Sequence, residues 1–343
     1  MAGLQWVSTH HPAPDYRLTV AGRDITPGVD PRLINLSLTE ARGNEADQLD
    51  LTLTDHDGDL ALPAKGALIT LELGWAGQPL VDKGSFVVDE VEHTGAPDQI
   101  SIRARAADMG KEMRRRDDKS WHDTTVGAIV GEIAARHKLT PRIGAELGAT
   151  RVAHIDKTNE SDLHFLTRLA RQHDAVATVK KGHLVFAPIN GTKTSQGQDL
   201  PAMLITRADG DRHRYHSAER NAYSGVRAYW HDPKKAEKRS VLAGAETNEK
   251  RLKDTYATEA DALAAATAEQ GRVERGKATM ELDLAWGRPE MAPQTPLTVA
   301  GFKPEIDATP WLVVKLTHSL GDGGLTTRME LETRADDSKA GDQ

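Results

Sequence analysis

The chain has 343 residues, 44 Lys and Arg against 51 Asp and Glu for a formal charge of −7, and no cysteine. Disulfide scaffolds, zinc ribbons, iron–sulfur sites and thiol nucleophiles are therefore excluded, and a pI near 6.1 argues against the basic footprint of a duplex-binding protein. The length suggests two or three domains of roughly 100 to 150 residues, while no apolar run reaches the roughly 18 to 20 residues of a membrane span and Met1 to Pro14 lacks a signal-peptide pattern, so a soluble chain is expected.

Aromatics make up only 4 %, with 29 Gly and 16 Pro, and short alternating runs of Thr, Val and Leu favour strands and turns over large helical bundles. Strands are predicted at Tyr16 to Val20, Leu33 to Thr39, Gln48 to Thr54, Ala67 to Leu73, Ser85 to His93 and Gln99 to Ala106. Asp55-His56-Asp57-Gly58-Asp59 and Gly95-Ala96-Pro97-Asp98 between them read as turns. Val126, Ile129, Val130, Ile133 and Ala134 then form the stripe of an amphipathic helix that Thr124 or Thr125 can cap and Leu139-Thr140-Pro141 ends. A second helix is predicted from Ser161 to His173, with Leu163, Leu166, Leu169 and Ala170 on one face, followed by a hairpin through Lys181-Gly182.

Residues 191 to 198 have the Gly, Thr, Ser and Gln content of a linker. Strand patterns resume at Met203 to Arg207 and Tyr223 to Trp230, and Thr258 with Asp261 opens an Ala-rich helix to Glu274. Further strands are expected at Lys277 to Ala285, Leu297 to Gly301, Trp311 to Leu320 and Leu325 to Thr333. The predicted class is mainly β with an α+β insertion: a first β domain at 1–108, a small α+β domain at 109–200, a second β domain at 201–335 and a disordered tail at 336–343.

A repeat relates the two β domains. Phe86-Val87-Val88-Asp89-Glu90-Val91-Glu92-His93-Thr94 aligns with Trp311-Leu312-Val313-Val314-Lys315-Leu316-Thr317-His318-Ser319, a shift of 225 since 311 − 86 and 318 − 93 both equal 225. The same shift sets Ile100 on Leu325 and Arg103 on Arg328 after a Gly-containing turn, an ungapped register that points to duplication. Gly74-Trp75 and Gly301-Phe302 precede the two hairpins at similar distances.

Catalytic and metal motifs have no support. His164 and His173 lie nine apart, unlike the i, i+4 pair of a zinc helix. The Asp55 to Asp59 turn has its Gly at the fourth position, where a calcium loop needs it at the sixth. No G-x-S-x-G elbow, Walker loop or strand-linked G-x-G-x-x-G occurs, and the adjacent Asp117 and Asp118 diverge. No cofactor, no catalytic residue and no membrane anchor are expected. Arg207 to Arg239 carries nine Lys and Arg against five Asp and Glu, interleaved with Tyr215, Tyr223, Tyr229 and Trp230. It reads as a solvated strand pair, with a single-stranded nucleic-acid-binding module as the alternative.

Asn159-Glu160-Ser161-Asp162-Leu163-His164-Phe165-Leu166-Thr167-Arg168-Leu169-Ala170, with the hairpin ending Leu184-Val185-Phe186, resembles the signature segment of the phage late control protein D family. Ser161, Asp162, Phe165, Leu166, Arg168 and Leu169 carry it, and two further segments agree: Met113-Arg114 before Trp121 and Thr125-Val126-Gly127, and Gly301-Phe302 before Trp311, His318 and Leu325-Thr326-Thr327. These are baseplate hub proteins of contractile phage tails, related to the hub portion of type VI secretion spikes. The resemblance implies a non-enzymatic homotrimer with two tube-like β barrels per chain, joining a sixfold tail tube to a threefold central spike. It also implies contacts with other baseplate proteins and the tape measure, a channel for DNA that is not specifically bound, and a place in the virion after assembly in the host bacterial cytoplasm.

Overall fold

Alternation of apolar and polar residues gives most strands one buried face. The computed structural model describes residues 13–43, 46–107, 111–189, 202–218, 223–233 and 235–334. The expected linker at 191–198 and tail at 336–343 lie outside the described residues.

The first region contains β1 (Pro14–Val20), β2 (Arg23–Asp24), helix α1 (Thr26–Val29), β3 (Leu33–Ala41), β4 (Gln48–Thr54), β5 (Leu68–Trp75), β6 (Val81–Thr94) and β7 (Gln99–Ala106). The middle segment runs β8 (Arg116–Thr125), α2 (Val126–Arg136), β9 (Thr140–Ile143), α3 (Ala145–Ala149), β10 (Arg151–Ser161), α4 (Asp162–Gln172), β11 (Ala175–Lys180) and β12 (His183–Pro188). The last region contains β13 (Met203–Thr206), β14 (Gly210–Ser217), β15 (Gly225–Asp232), β16 (Glu237–Gly244), β17 (Glu249–Tyr256) and α5 (Glu259–Arg275). It continues through β18 (Ala278–Leu284), β19 (Pro296–Ala300), α6 (Pro304–Asp307), β20 (Trp311–Gly321) and β21 (Gly324–Thr333).

The three longer helices start where a hydroxyl satisfies a free backbone donor. Thr125 accepts from the Ala128 N–H, Ser161 from His164 and Thr258 from Asp261. Helix α4 buries Phe165, Leu166, Leu169 and Ala170, whereas Leu163, expected on that face, is only half-buried. Together with α2 it covers β11 and β12, and Phe165 stacks on Trp121 at 4.9 Å between centroids.

The mainly β class with an α+β segment is what the structure shows. One sheet of 13 strands runs β14-β18-β21-β20-β3-β4-β7-β6-β5-β1-β2, with β13 and β19 branching beside β20. Among the described residues these pairings do not close into separate barrels. The physical reason is β20, whose outer edge from Lys315 to Gly321 pairs with β3 and so fuses the two regions. The core of the first region accordingly includes Leu320 and Leu325 from the last hairpin.

The repeat is visible in the hairpins themselves. Asp89 in β6 and Val314 in β20 are each the extra residue of a β-bulge, and 314 − 89 is again 225. The register is not ungapped throughout, however. His93 pairs with Ile100 but His318 pairs with Thr327, so the return strands match at a shift of 227. The second hairpin runs two pairs further past its His and turns through two residues where the first turns through four, a net gain of two residues, and an even offset leaves the buried face unchanged.

Several strands carry no clear pattern in the sequence. The ribbon of β8 and β10 is largely solvated on both faces, so its residues do not alternate. β16 and β17 flank β15 beneath α5 in a separate three-stranded sheet, with a small core of Val226, Ala228, Ala262 and Ala266.

Candidate functional site

The sheet junction gathers charged side chains from several elements. Glu40 at the end of β3 is buried, and its Oε2 accepts from Lys83 Nζ of β6 at 2.6 Å. Lys83 Nζ also reaches the Met291 carbonyl at 3.3 Å, and Lys180 of β11 pairs with Asp47 at 2.9 Å. His318 of β20 is fully buried: Nδ1 lies 2.8 Å from Thr327 Oγ1, and Nε2 lies 3.3 Å from Glu40 Oε2 without hydrogen-bond alignment, which makes that contact electrostatic. Burial on its own raises the Glu40 carboxyl, but His318, Lys83 and Lys180 outweigh it and hold the group at about 2. Burial pushes the His318 imidazole down from its ordinary value.

A second cluster ties α5 to three other elements. Arg275 is buried and donates to both carboxylate oxygens of Asp174, at 2.6 and 2.5 Å, while its Nε lies 3.0 Å from Glu332 of β21. Glu332 also pairs with Arg42 just beyond β3. Removing either carboxylate would leave cationic groups in a poorly solvated place.

The signature segment makes a third cluster at the start of α4. Asp162 accepts from Lys157 at 2.5 Å, Arg136 at 3.0 Å and His137 at 2.8 Å, and Asp117 pairs with the same Lys157 and Arg136. Burial raises the Asp162 carboxyl, yet Lys157 and His137 bring it below the ordinary carboxylate range. A cleft of about 710 Å³ opens beside it, lined by Met113, Arg115, Lys138, Asp117, Arg136 and Asp162. Arg168 sits outside this cluster, paired with Glu160 at 2.8 Å. Ser161 caps the helix, and Phe165, Leu166 and Leu169 point into the core.

The structure places the repeat residues in matched and unmatched settings. Phe86 and Trp311 are both buried, as are Ile100 and Leu325. Arg103 and Arg328 both lie on the outer face in ladders of carboxylates, with Asp50 and Glu90 around one and Glu281 and Asp283 around the other. The histidines differ: His318 is buried, while the His93 side chain is 44 % exposed beside Asp55. Trp75 donates to the Gly287 carbonyl at 3.1 Å and packs on Trp286, a further contact between the regions that the sequence did not suggest.

The basic, aromatic segment does not form one surface. Arg214 lies in the large sheet against Glu281, whereas Arg227 lies in the small sheet, held by Glu246 and Glu249. Tyr215 packs edge-on to Trp311, and Arg239 pairs with Asp232. The Asp55 to Asp59 turn is closed by Arg32, whose guanidinium grips Asp57 at 2.7 and 2.5 Å. His164 Nδ1 contacts Glu160, and His173 is apart from it. Among the described residues no three metal-capable side chains converge.

The two regions are thus duplicated hairpins fused edge to edge, with charged pairs locking the contacts between segments. The phage tail baseplate hub (GPD) family matches residues 44–324. A probable baseplate hub protein of Escherichia phage 186 is 42 % identical over a 366-residue alignment that covers 95 % of this chain and 94 % of the relative. The chain belongs to the phage tail baseplate hub family. Solved structures share the fold: a 43 kDa tail protein of prophage MuSo2 from Shewanella oneidensis has a TM-score of 0.69 at 15 % identity, covering 93 % of this chain and 98 % of that one. A component of the Escherichia coli type VI secretion system has a TM-score of 0.57 at 14 % identity, covering 93 % and 77 %.

Proposed function

We propose that the chain is a homotrimeric hub that joins the sixfold tail tube to the threefold central spike of a phage baseplate. The carrying observation is the duplicated strand order, β3-β4-β7-β6-β5 and β14-β18-β21-β20-β19, fused through β20 and β3. One chain offers two related β regions, so three chains offer six, and a threefold assembly can present similar edges to six tube subunits. Tail tube, spike, other baseplate proteins and tape measure are its partners, and the channel passes DNA without binding it specifically. A net charge of −7 suits that role, because a basic lumen would retain phosphates. The hub works without catalysis, within a virion assembled in the host cytoplasm, and the two β regions and the α+β segment between them act as its domains.

Light scattering of the purified protein, alone and with its spike, tests the trimer. A mass of about 112 kDa, three times 37.3 kDa, is expected. A strict monomer under both conditions would reject the symmetry-adapting role.

A further inference from the structure

The joint between the two β regions of one chain has an open counterpart at each end of that chain. Three consecutive pairings across four strands establish the correspondence. In the first region Val87 of β6 faces Arg105 of β7, Arg105 faces Gln48 of β4, and Gln48 faces Thr39 of β3. In the last region Leu312 of β20 faces Glu332 of β21, Glu332 faces Thr279 of β18, and Thr279 faces His216 of β14. Since 312 − 87 is the repeat shift of 225, β6 corresponds to β20, and β14 corresponds to β3 with His216 in the place of Thr39.

The internal joint pairs β20 with β3, with Thr317 opposite Thr39 and His318 opposite Leu38. Its counterpart would pair β6 with β14. Within one chain these strands do not meet: they lie at separated places in the sheet, and among the described residues β14 has β18 as its sole partner strand. Beyond Val88, β6 pairs on the β7 side alone among the described residues. Two complementary strand edges, one from each region, are thus unpaired among the described residues.

Burial distinguishes the closed joint from the open edges. At the joint Leu36, Leu38, Leu316 and His318 are all fully buried. Their counterparts His213, Tyr215, Val91 and His93 are half-buried or exposed. The charges are complementary as well. The β6 edge presents Glu90 and Glu92, and the β14 edge presents Arg212, Arg214 and His216, all exposed. Unpaired, oppositely charged edges of this kind are templates for strand addition.

We propose that β6 of one copy pairs antiparallel with β14 of a second copy in the register of the internal joint. Glu92 then faces His216, Thr94 faces Arg214, His93 faces Tyr215 and Glu90 faces Ala218. Because the contact joins different edges it is head-to-tail, and it closes into a ring when the rotation per copy allows. The inference rests on the trimeric hub proposed above and specifies which strands meet, with the edge of a tube subunit as the competing occupant.

The absence of cysteine permits a direct test in the full-length chain. Paired strands bring facing Cα atoms to roughly 4.5 to 5.5 Å, within disulfide reach. Glu92→Cys with His216→Cys should give covalently linked dimers and trimers under mild oxidation. Each single variant, and a mismatched double variant of Glu92→Cys with Arg328→Cys, should give none of this ladder. Independently, Glu92→Lys should weaken self-association at least tenfold, and His216→Glu in the same chain should restore it. A trimer by light scattering in which the matched pair does not cross-link and the charge swap does not rescue would overturn the β6–β14 contact while leaving the trimer in place. A chain monomeric with and without its spike would overturn both.

Discussion

The imidazole of His318 stands 3.3 Å from the carboxylate of Glu40, one side chain from each of the two fused β strands. Lys83 and Thr327 occupy the remaining polar contacts of the pair. Burial favours the neutral imidazole, against the pull of the anionic Glu40 toward the cation. The joint therefore depends on a specific charge state.

Acid should loosen this joint in two stages. The His318 imidazole lies below its ordinary 6.5 when folded, so the stability from its neutral form is present above about 6.5 and declines as pH falls below it. Glu40 falls from 4.5 to about 2, so its contribution is present above about 4.5 and is lost as pH drops toward 2, on the order of 3 kcal/mol in all. Lys180, Asp47 and Glu290 lie around the same pair and modulate both stages. Urea midpoints measured from pH 7 to pH 3 should show the decline. His318→Gln should flatten its upper stage, and Glu40→Gln should flatten the lower one while reducing stability at pH 7.

Trp311 anchors the last core. It is fully buried, donates to the Ile306 carbonyl at 3.1 Å and meets Tyr215 edge-on. Trp311→Ala should cost about 3 to 5 kcal/mol through the cavity and the lost packing. Trp311→Phe should cost less, since it keeps a ring and forfeits mainly the hydrogen bond. Chemical denaturation compares them, and an unchanged Trp311→Ala curve would refute the inward placement.

Much of this fold was legible because a strand buried on one face must alternate. β4 and β7 coincide with their expected ranges for that reason. The ribbon of β8 and β10 was not legible, because neither face is largely buried and its sequence is free to be polar throughout. The Phe86 and Trp311 equivalence followed from residue type, but the two-residue offset after the hairpin did not, since the second hairpin is longer by an even number of residues and the alternation is unchanged. The charged junction was invisible for another reason. Glu40, Lys83, Lys180 and His318 are far apart in sequence; the pairing of β20 with β3 brings Glu40 and His318 together, and Lys83 and Lys180 reach them from β6 and β11.

Arg227 separates an assembly role from nucleic-acid binding. Its guanidinium is occupied by Glu249 at 2.6 Å, Glu246 at 2.9 Å and the Ser240 hydroxyl at 3.1 Å. A side chain so engaged supports the β15 sheet and has little left to offer a phosphate. Arg227→Ala should lower the thermal midpoint while leaving any weak, salt-dependent retention on single-stranded DNA unchanged. A selective loss of that retention at unchanged stability would reinstate the nucleic-acid surface.

Asp174 should be less replaceable than its half-buried position suggests. Its two oxygens neutralise Arg275, which is buried at the meeting point of α5, β21 and the segment after α4. Asp174→Ala leaves that guanidinium with Glu332 and the Ile189 carbonyl, and Glu332 is already shared with Arg42. Breaking a buried pair from one side costs about 3 to 5 kcal/mol. Arg275→Met removes the cation and keeps most of the volume, and Arg42 still satisfies Glu332, so it should be the milder change. Comparing the two by urea denaturation checks the order. If Arg275→Met proved the more damaging, the cation would be holding α5 through contacts other than the Asp174 carboxylate.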